Sequence, residues 1–484
     1  MRIAFATSEC VPFVKTGGLA DVSGALPKAL AAEGCEVKVF LPLYGSINTG
    51  NHGLSFAHEL YGIPAQIGGE TVHCHVWYKK DDSGVEFYFI DCPRYYHRAQ
   101  VYTADPDEDK RYIFLQNAVL QILQRFNWAP DVLHCNDWQT ALLPVYLREK
   151  YGWDRLFWKT GSVLSIHNLA YQGLFSKESI YQAGLHYDKF YPGGPYEFHN
   201  AFSFLKAGML YADVLTTVSE TYAREIQTPD YGERLDGVLA VRRDDLYGIL
   251  NGIDPNDWNP RVDKFIPQHY DLENFSDKIK NKKALLEQVG LPFDENVPTI
   301  GMITRLTVQK GLEILSQAFN DLMQMPLQLV ILGSGEKKYE DFLRWAASTY
   351  PGKVSAYIGF NNALAHRITA GCDMYLMPSR YEPCGLNQMY SLNYGTVPIV
   401  RKTGGLADTV RDYHEFDQQG NGFSFWDFTP YALFTSINRA LALFHQKEIW
   451  MEIVKRGMSE DFSWQKSARK YLEVYRRAKS KRDG

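Results

Sequence analysis

The feature that most limits what this chain can become is its rhythm: strand-length apolar runs alternate with helical patterns from one end to the other. Strands separated by helix-length crossovers make parallel sheets with helices on their faces, an α/β architecture. In the first half the predicted strands are 3–7, 37–41, 87–90, 132–134, 163–166 and 214–218, with helices such as 25–33, 111–126 and 140–149 between them. A second series runs through 247–250, 299–303, 328–332, 354–358, 374–377 and 397–400. A chain of 484 residues is too long for one core, so two series predict at least two domains. The hinge is expected near Gly248, ahead of the turn Asn251-Gly252-Ile253-Asp254 and a polar, proline-rich stretch reaching Lys283. A basic helix over 465–481 ends the chain.

Net charge is −5, so no global field draws in nucleic acid or an acidic membrane, and neither is expected as a partner. Met1-Arg2-Ile3-Ala4-Phe5-Ala6 reads as a first strand rather than a signal peptide, and no apolar run approaches a membrane span. The seven cysteines are scattered, odd in number and free of Cys-x-x-Cys, which points away from disulfides and towards a reducing cytoplasm. Aromatics make up 14% of the chain; much of that is core, but some could stack on sugar rings.

The chemistry concentrates at Cys372 to Tyr390. A short apolar run, Met374 to Met377, ends at Pro378, and Pro383 fixes the backbone just after Glu382. A helix is expected from Gly385, whose first N–H groups have no partner within it and suit an anion, phosphate above all. The alternative is a structural loop in which Arg380 and Glu382 pair at the surface. Arg305 and Lys310 follow another strand and could clamp a diphosphate, the arginine as a fork and the lysine as a point charge. Leu332-Gly333-Ser334-Gly335 is a Gly-x-Gly turn without the full dinucleotide fingerprint, and Phe360 follows a strand where a ring could stack on a base or pack in the core.

One repeat spans both series. Lys15-Thr16-Gly17-Gly18-Leu19-Ala20-Asp21 returns as Lys402-Thr403-Gly404-Gly405-Leu406-Ala407-Asp408, each copy after a strand and before a helix. Paired glycines let a backbone approach a bound group closely. In the first half, His134-Cys135-Asn136-Asp137-Trp138 and His167-Asn168-Leu169-Ala170-Tyr171-Gln172-Gly173 each end a strand and predict one wall of a cleft. A metal site from His134, Cys135 and Asp137 is disfavoured, because alternate strand residues point to opposite faces. His73-x-His75 falls in an alternating strand, as an exposed face would.

Together with Ser203-Phe204-Leu205-Lys206-Ala207-Gly208, Arg305-Leu306-Thr307-Val308-Gln309-Lys310-Gly311 and Pro378-Ser379-Arg380-Tyr381-Glu382-Pro383-Cys384-Gly385-Leu386, these motifs resemble the bacterial glycogen synthase and plant starch synthase family across essentially the whole chain. The resemblance implies the GT-B arrangement, two Rossmann-like domains facing a deep cleft. Residues 1–248, completed by the helix 462–484, would be the acceptor side, and 249–461 the nucleotide-sugar side. It implies retaining transfer of glucose from ADP-glucose to the non-reducing 4-hydroxyl of an α-1,4-glucan, with no cofactor and no metal. By matching motif, Lys15, Gly18 and Asp21 would serve the donor from the first domain. Arg305, Lys310 and the amides of Gly385 and Leu386 would hold the diphosphate, and Phe360 would stack on adenine. Asn251, His167, Glu382 and Cys384 would surround the glucose, with Asp137 near the reacting centre. Trp138, Tyr95, Tyr96 and Tyr171 are candidate stacking surfaces for the acceptor. Two positions depart from broader patterns: Tyr390 stands where many retaining GT-B enzymes carry a second glutamate, and Asn136 where a histidine is common. Competing readings are a UDP-glucose or sucrose-type transferase on the same fold and a glucan-binding protein without activity. A nicotinamide dehydrogenase is disfavoured because no Gly-x-Gly-x-x-Gly follows the first strand.

Overall fold

The computed structural model describes residues 1–483. The chain forms two compact units. The first takes in Met1–Val218, Ala223–Gly252 and the segment from Trp464; the second takes in Ser219–Tyr222 and Ile253–Ser463.

The first unit is built on a sheet whose spatial order is Leu246–Gly248, Val214–Thr217, Gly161–Ile166, Val132–Asn136, Arg2–Ala6, Glu36–Pro42, Glu86–Asp91, Glu70–Lys80 and Ser55–Phe56, with Ile63–Ile67 also paired to Glu70–Lys80. From Leu246–Gly248 to Glu86–Asp91 every pairing is parallel. Those strands are apolar runs because helices cover both faces; Val132–Asn136 and Gly161–Ile166 are buried at every position. The remaining strands turn antiparallel and alternate, leaving His73 exposed and His75 stacked on Tyr61 at 4.4 Å. The C-terminal helix Trp464–Ser480 lies against this unit, where the Tyr475 hydroxyl is 2.6 Å from His134 Nδ1 and Lys479 pairs with Asp131 at 2.7 Å.

The second unit carries a wholly parallel sheet in the order Val354–Ile358, Gln328–Gly335, Thr299–Leu306, Met374–Met377, Val397–Arg401 and Phe423–Phe425. Its helices bury one stripe each. In Leu312–Leu322 the buried Leu312, Leu315, Ala318, Phe319 and Leu322 recur at three- and four-residue spacing and face the core.

Three of the departures from the predicted elements stand out. The strand expected to open the second series, Leu246–Gly248, pairs with Val214–Thr217 and belongs to the first sheet. Thr299–Leu306 and Gln328–Gly335 run past their apolar stretches, because their ladder continues through Thr304–Gly333, Arg305–Ser334 and Leu306–Gly335. The helix after Glu382 begins at Asn387 rather than Gly385, since Gly385 takes a left-handed φ of 70° that no helix continues.

Candidate active site

Each sheet changes its direction of growth at its first strand. Arg2–Ala6 is flanked by Glu36–Pro42 and Val132–Asn136, and Thr299–Leu306 by Gln328–Gly335 and Met374–Met377. Loops leaving two such strands part in opposite directions and open a crevice at their carboxyl ends, where ligands of open α/β sheets bind. In the first unit those loops carry Lys15, Gly18 and Asp137; in the second they carry Lys310 and Glu382.

In the second unit Glu382 is buried, 7% exposed, and its Oε2 accepts from Lys310 Nζ at 2.6 Å and from the Ser379 hydroxyl at 3.0 Å. The alternative, a surface pair of Glu382 with Arg380, does not form among the described residues; the Arg380 guanidinium lies over Phe428, 5.6 Å from its ring centre. Two bonds tie the Lys310 and Glu382 loops together: Arg380 N–H to Gln309 O at 2.8 Å, and Gln309 Nε2 to Tyr381 O at 3.3 Å. Arg305 is exposed at the same strand end and has no side-chain bond among the described residues. Cys384 is buried, and the N–H groups of Gly385 and Leu386 donate to nothing within the described residues, so an anion can take them. Phe360 is 89% exposed on the loop after Val354–Ile358, so the core-packing alternative for this ring is excluded.

The second glycine pair serves the chain itself. A β-carbon on Gly404 or Gly405 would lie 1.9 Å from the carbonyl oxygen of Glu382 or Cys384, and Gly405 N–H donates to the carbonyls of both Glu382 and Pro383 at 3.1 Å. The close partner expected there as a bound group is therefore the Glu382 loop.

In the first unit, by contrast, a β-carbon on Gly18 would meet nothing within 4 Å. Its turn is held from behind by Glu9, whose Oε2 accepts from Thr16 N at 2.5 Å, Thr16 Oγ1 at 2.8 Å and Gly17 N at 3.1 Å. Lys15 is half-exposed and pairs with Asp21 at 2.7 Å. Asp137 adopts a positive φ of 55°, which turns its carboxyl back onto the next strand's loop. There Oδ1 accepts from His167 N at 2.7 Å, and the Asn168 N–H also bonds the carboxyl. Burial outweighs those bonds and pushes the Asp137 carboxyl up to about 7. Burial pushes the His167 imidazole down to about 4, so it is neutral at physiological pH. Asn251 is buried, and its Oδ1 has no hydrogen-bond partner among the described residues.

Residues 2–241 match the family model for the starch synthase catalytic domain, and residues 286–452 that for glycosyl transferases group 1. The chain is 46% identical to a glycogen synthase of Desulforudis audaxviator, covering 99% of this chain and 97% of that one. It is 44% identical to one of Clostridium beijerinckii, with 98% and 99% covered. The chain belongs to the glycogen synthase and starch synthase family. It is a glycosyltransferase. Among solved structures, the catalytic domain of Starch Synthase IV from Arabidopsis thaliana, bound to ADP and acarbose, superposes with a TM-score of 0.90 at 31% identity over 99% of each chain. Sucrose-phosphate synthase from Thermosynechococcus elongatus, at a TM-score of 0.59 and 17% identity over 98% of each chain, shares the GT-B fold.

Within this family member, the candidate stacking surfaces separate, and the positions singled out in the strand-end and Glu382 motifs take definite partners. Tyr95 and Tyr96 are buried in the core and offer no face to an acceptor, and Trp138 is nearly so; Tyr171 is exposed. His134 has its ring nitrogens taken by Tyr475 and Ser165 and cannot ligate a metal. Tyr390, where a second glutamate was the common alternative, stacks on Trp258 at 4.1 Å. Sequence reasoning missed Glu9 and Ser379. Ser379 stands inside the 378–386 motif but is passed over for its charged neighbours, and the one sequence signal for Glu9 is an acidic residue just beyond a strand's carboxyl end.

Proposed function

We propose that this glycosyltransferase lengthens α-1,4-glucans, moving glucose from ADP-glucose to the non-reducing 4-hydroxyl with retention and releasing ADP. The observation that carries the reading is the Lys310–Glu382 pair at 2.6 Å, a cation and a carboxylate locked together where the second sheet switches direction. Breaking the anomeric bond creates a diphosphate anion and an oxocarbenium-like sugar. Fixed cations and dipoles stabilise the first, and a fixed carboxylate the second. In the second unit Arg305, Lys310 and the free amides of Gly385 and Leu386 suit the diphosphate; in the first, Lys15 and the open backbone at Gly18 have the same chemistry. Glu382 answers the sugar cation, held in place by Ser379 and Lys310.

In the second unit Phe360 stacks on the adenine and Cys384 faces the glucose; in the first, Asn251 and His167 are the groups for the sugar hydroxyls, with Asp137 next to them. A retaining hydrolase uses two carboxylates about 5 Å apart and a covalent intermediate. With tyrosine at position 390, same-face attack fits better, the departing phosphate taking the acceptor's proton. Among the described residues no helix is long and apolar enough to cross a membrane, and both substrates are water-soluble, as a cytoplasmic synthase requires.

The test is ADP release from ADP-glucose with and without glycogen, run in parallel with UDP-glucose. Glycogen-dependent release, faster with ADP-glucose, is expected. Preference for UDP-glucose would move the enzyme to the sucrose or trehalose type, and glucan binding without release would reduce it to a scaffold.

A further inference from the structure

Asn136 ends the strand Val132–Asn136, fully buried, at the position where this chain departs from the more common histidine. Its backbone is clamped by Thr140, whose hydroxyl accepts from Asn136 N at 2.6 Å and donates to Asn136 O at 2.9 Å. One end of its amide lies 2.9 Å from the Ala6 carbonyl oxygen and the other 2.9 Å from His167 Nε2. A carbonyl can only accept, so the end facing Ala6 must be the NH2. The end facing His167 is then the oxygen, and it too can only accept, so the proton of the imidazole must sit on Nε2. His167 Nδ1 has no partner among the described residues, and in a neutral ring it is a bare lone pair.

The geometry points to Asn136 as a positioning residue that fixes His167 in the Nε2–H tautomer and so presents Nδ1 as an acceptor for a donor-sugar hydroxyl. The tautomer follows from the Ala6–Asn136–His167 chain alone; the sugar contact rests on the function proposed above. A histidine in place of Asn136 can take up a second proton and then donate at both ends, whereas the amide oxygen can only accept, so asparagine holds the constraint at every pH. The neighbouring charge does not compete for the ring, because the Asp137 carboxyl is turned onto the His167 backbone N–H.

The experiment is a long-range proton–nitrogen correlation spectrum of enzyme labelled with nitrogen-15 at its thirteen histidines, with His167 identified by the resonance missing from His167→Gln. Across neutral pH the His167 signals should show a protonated Nε2 and a bare Nδ1. In Asn136→Leu, close in shape but without either bond, they should average over both tautomers, and kcat/KM for ADP-glucose should fall about tenfold, the loss of one oriented hydrogen bond. A wild-type ring protonated on Nδ1, or on both nitrogens, overturns the inference even if His167→Gln proves inactive and the proposed function stands. An Nε2–H ring in wild type together with full activity of His167→Gln would instead strike out the sugar contact. If Asn136→Leu does not fold, the wild-type spectrum decides the tautomer by itself.

Discussion

Gly404 lies so close under Glu382 that a β-carbon on the glycine would sit 1.9 Å from the Glu382 carbonyl oxygen. The matching glycine of the other copy, Gly17, has only the Glu9 carboxylate near it, at 3.8 Å, and Gly18 beside it has open space. One seven-residue motif therefore performs two tasks. In the second unit it is packed against the loop that carries the reactive carboxylate; in the first it leaves a backbone edge uncovered for a ligand.

That difference predicts opposite phenotypes for the same substitution. Gly404→Ala and Gly405→Ala should each cost about 1–3 kcal/mol through overpacking and lower kcat by shifting Glu382. Gly18→Ala should leave the melting temperature unchanged and raise the KM for ADP-glucose. Thermal melts beside steady-state kinetics distinguish them, and equal destabilisation by Gly18→Ala would show that both turns are merely structural.

Lys310 and Glu382 should fail differently when truncated. Lys310→Ala removes one donor to the leaving diphosphate and is expected to lower kcat by roughly 10²–10³. Unaltered turnover at saturating ADP-glucose would take Lys310 out of the mechanism. Glu382→Gln keeps the size and a hydrogen bond to Ser379 but no charge, so transfer should be nearly abolished in a folded protein. Retained activity in Glu382→Gln would mean that the sugar cation is stabilised elsewhere.

The sheets were legible because their strands are buried on both faces and read as unbroken apolar runs, and the carboxyl-edge loops could be located from them. What escaped depends on contacts that no local pattern encodes. Leu246–Gly248 has the same apolar character whichever sheet it joins, and only its pairing with Val214–Thr217 assigns it. Gly405 and Gly18 carry identical neighbours in sequence, yet the first lies against the Cys384 carbonyl of a distant loop and the second against open space. Tyr95 and Tyr96 looked like stacking surfaces because composition cannot separate a buried ring from an exposed one. Asn136 stood out as a departure, but its meaning needed the Ala6 carbonyl beside it.

Phe360 offers a test of the nucleotide end. An 89% exposed ring contributes little to folding, so Phe360→Ala should change stability by less than about 0.5 kcal/mol. A base stacked on an aromatic ring gains about 1–3 kcal/mol, and KM for ADP-glucose should rise accordingly, about fivefold at least, while Phe360→Tyr stays near wild type. Isothermal titration with ADP checks the same contact without turnover. If ADP binds Phe360→Ala as tightly as wild type, the base lies elsewhere.

Asp137 gives the pH prediction. Burial raises its carboxyl from 3.8 to about 7, so the folded enzyme holds this proton more tightly than the unfolded chain does. The native state is then favoured fully below the unfolded value. That advantage is lost as pH rises through the window between the two and is gone above about 7. Asp137→Asn keeps an oxygen for the His167 N–H, tolerates the positive φ as aspartate does, and cannot ionise. The variant should therefore melt at the wild-type temperature only below the unfolded value of 3.8, increasingly above it as pH rises to about 7, and by a constant margin beyond that, with transfer impaired throughout. Melting curves of the two proteins across that range check it. A constant offset between them would place the Asp137 carboxyl near its ordinary value and remove burial as the dominant influence on it.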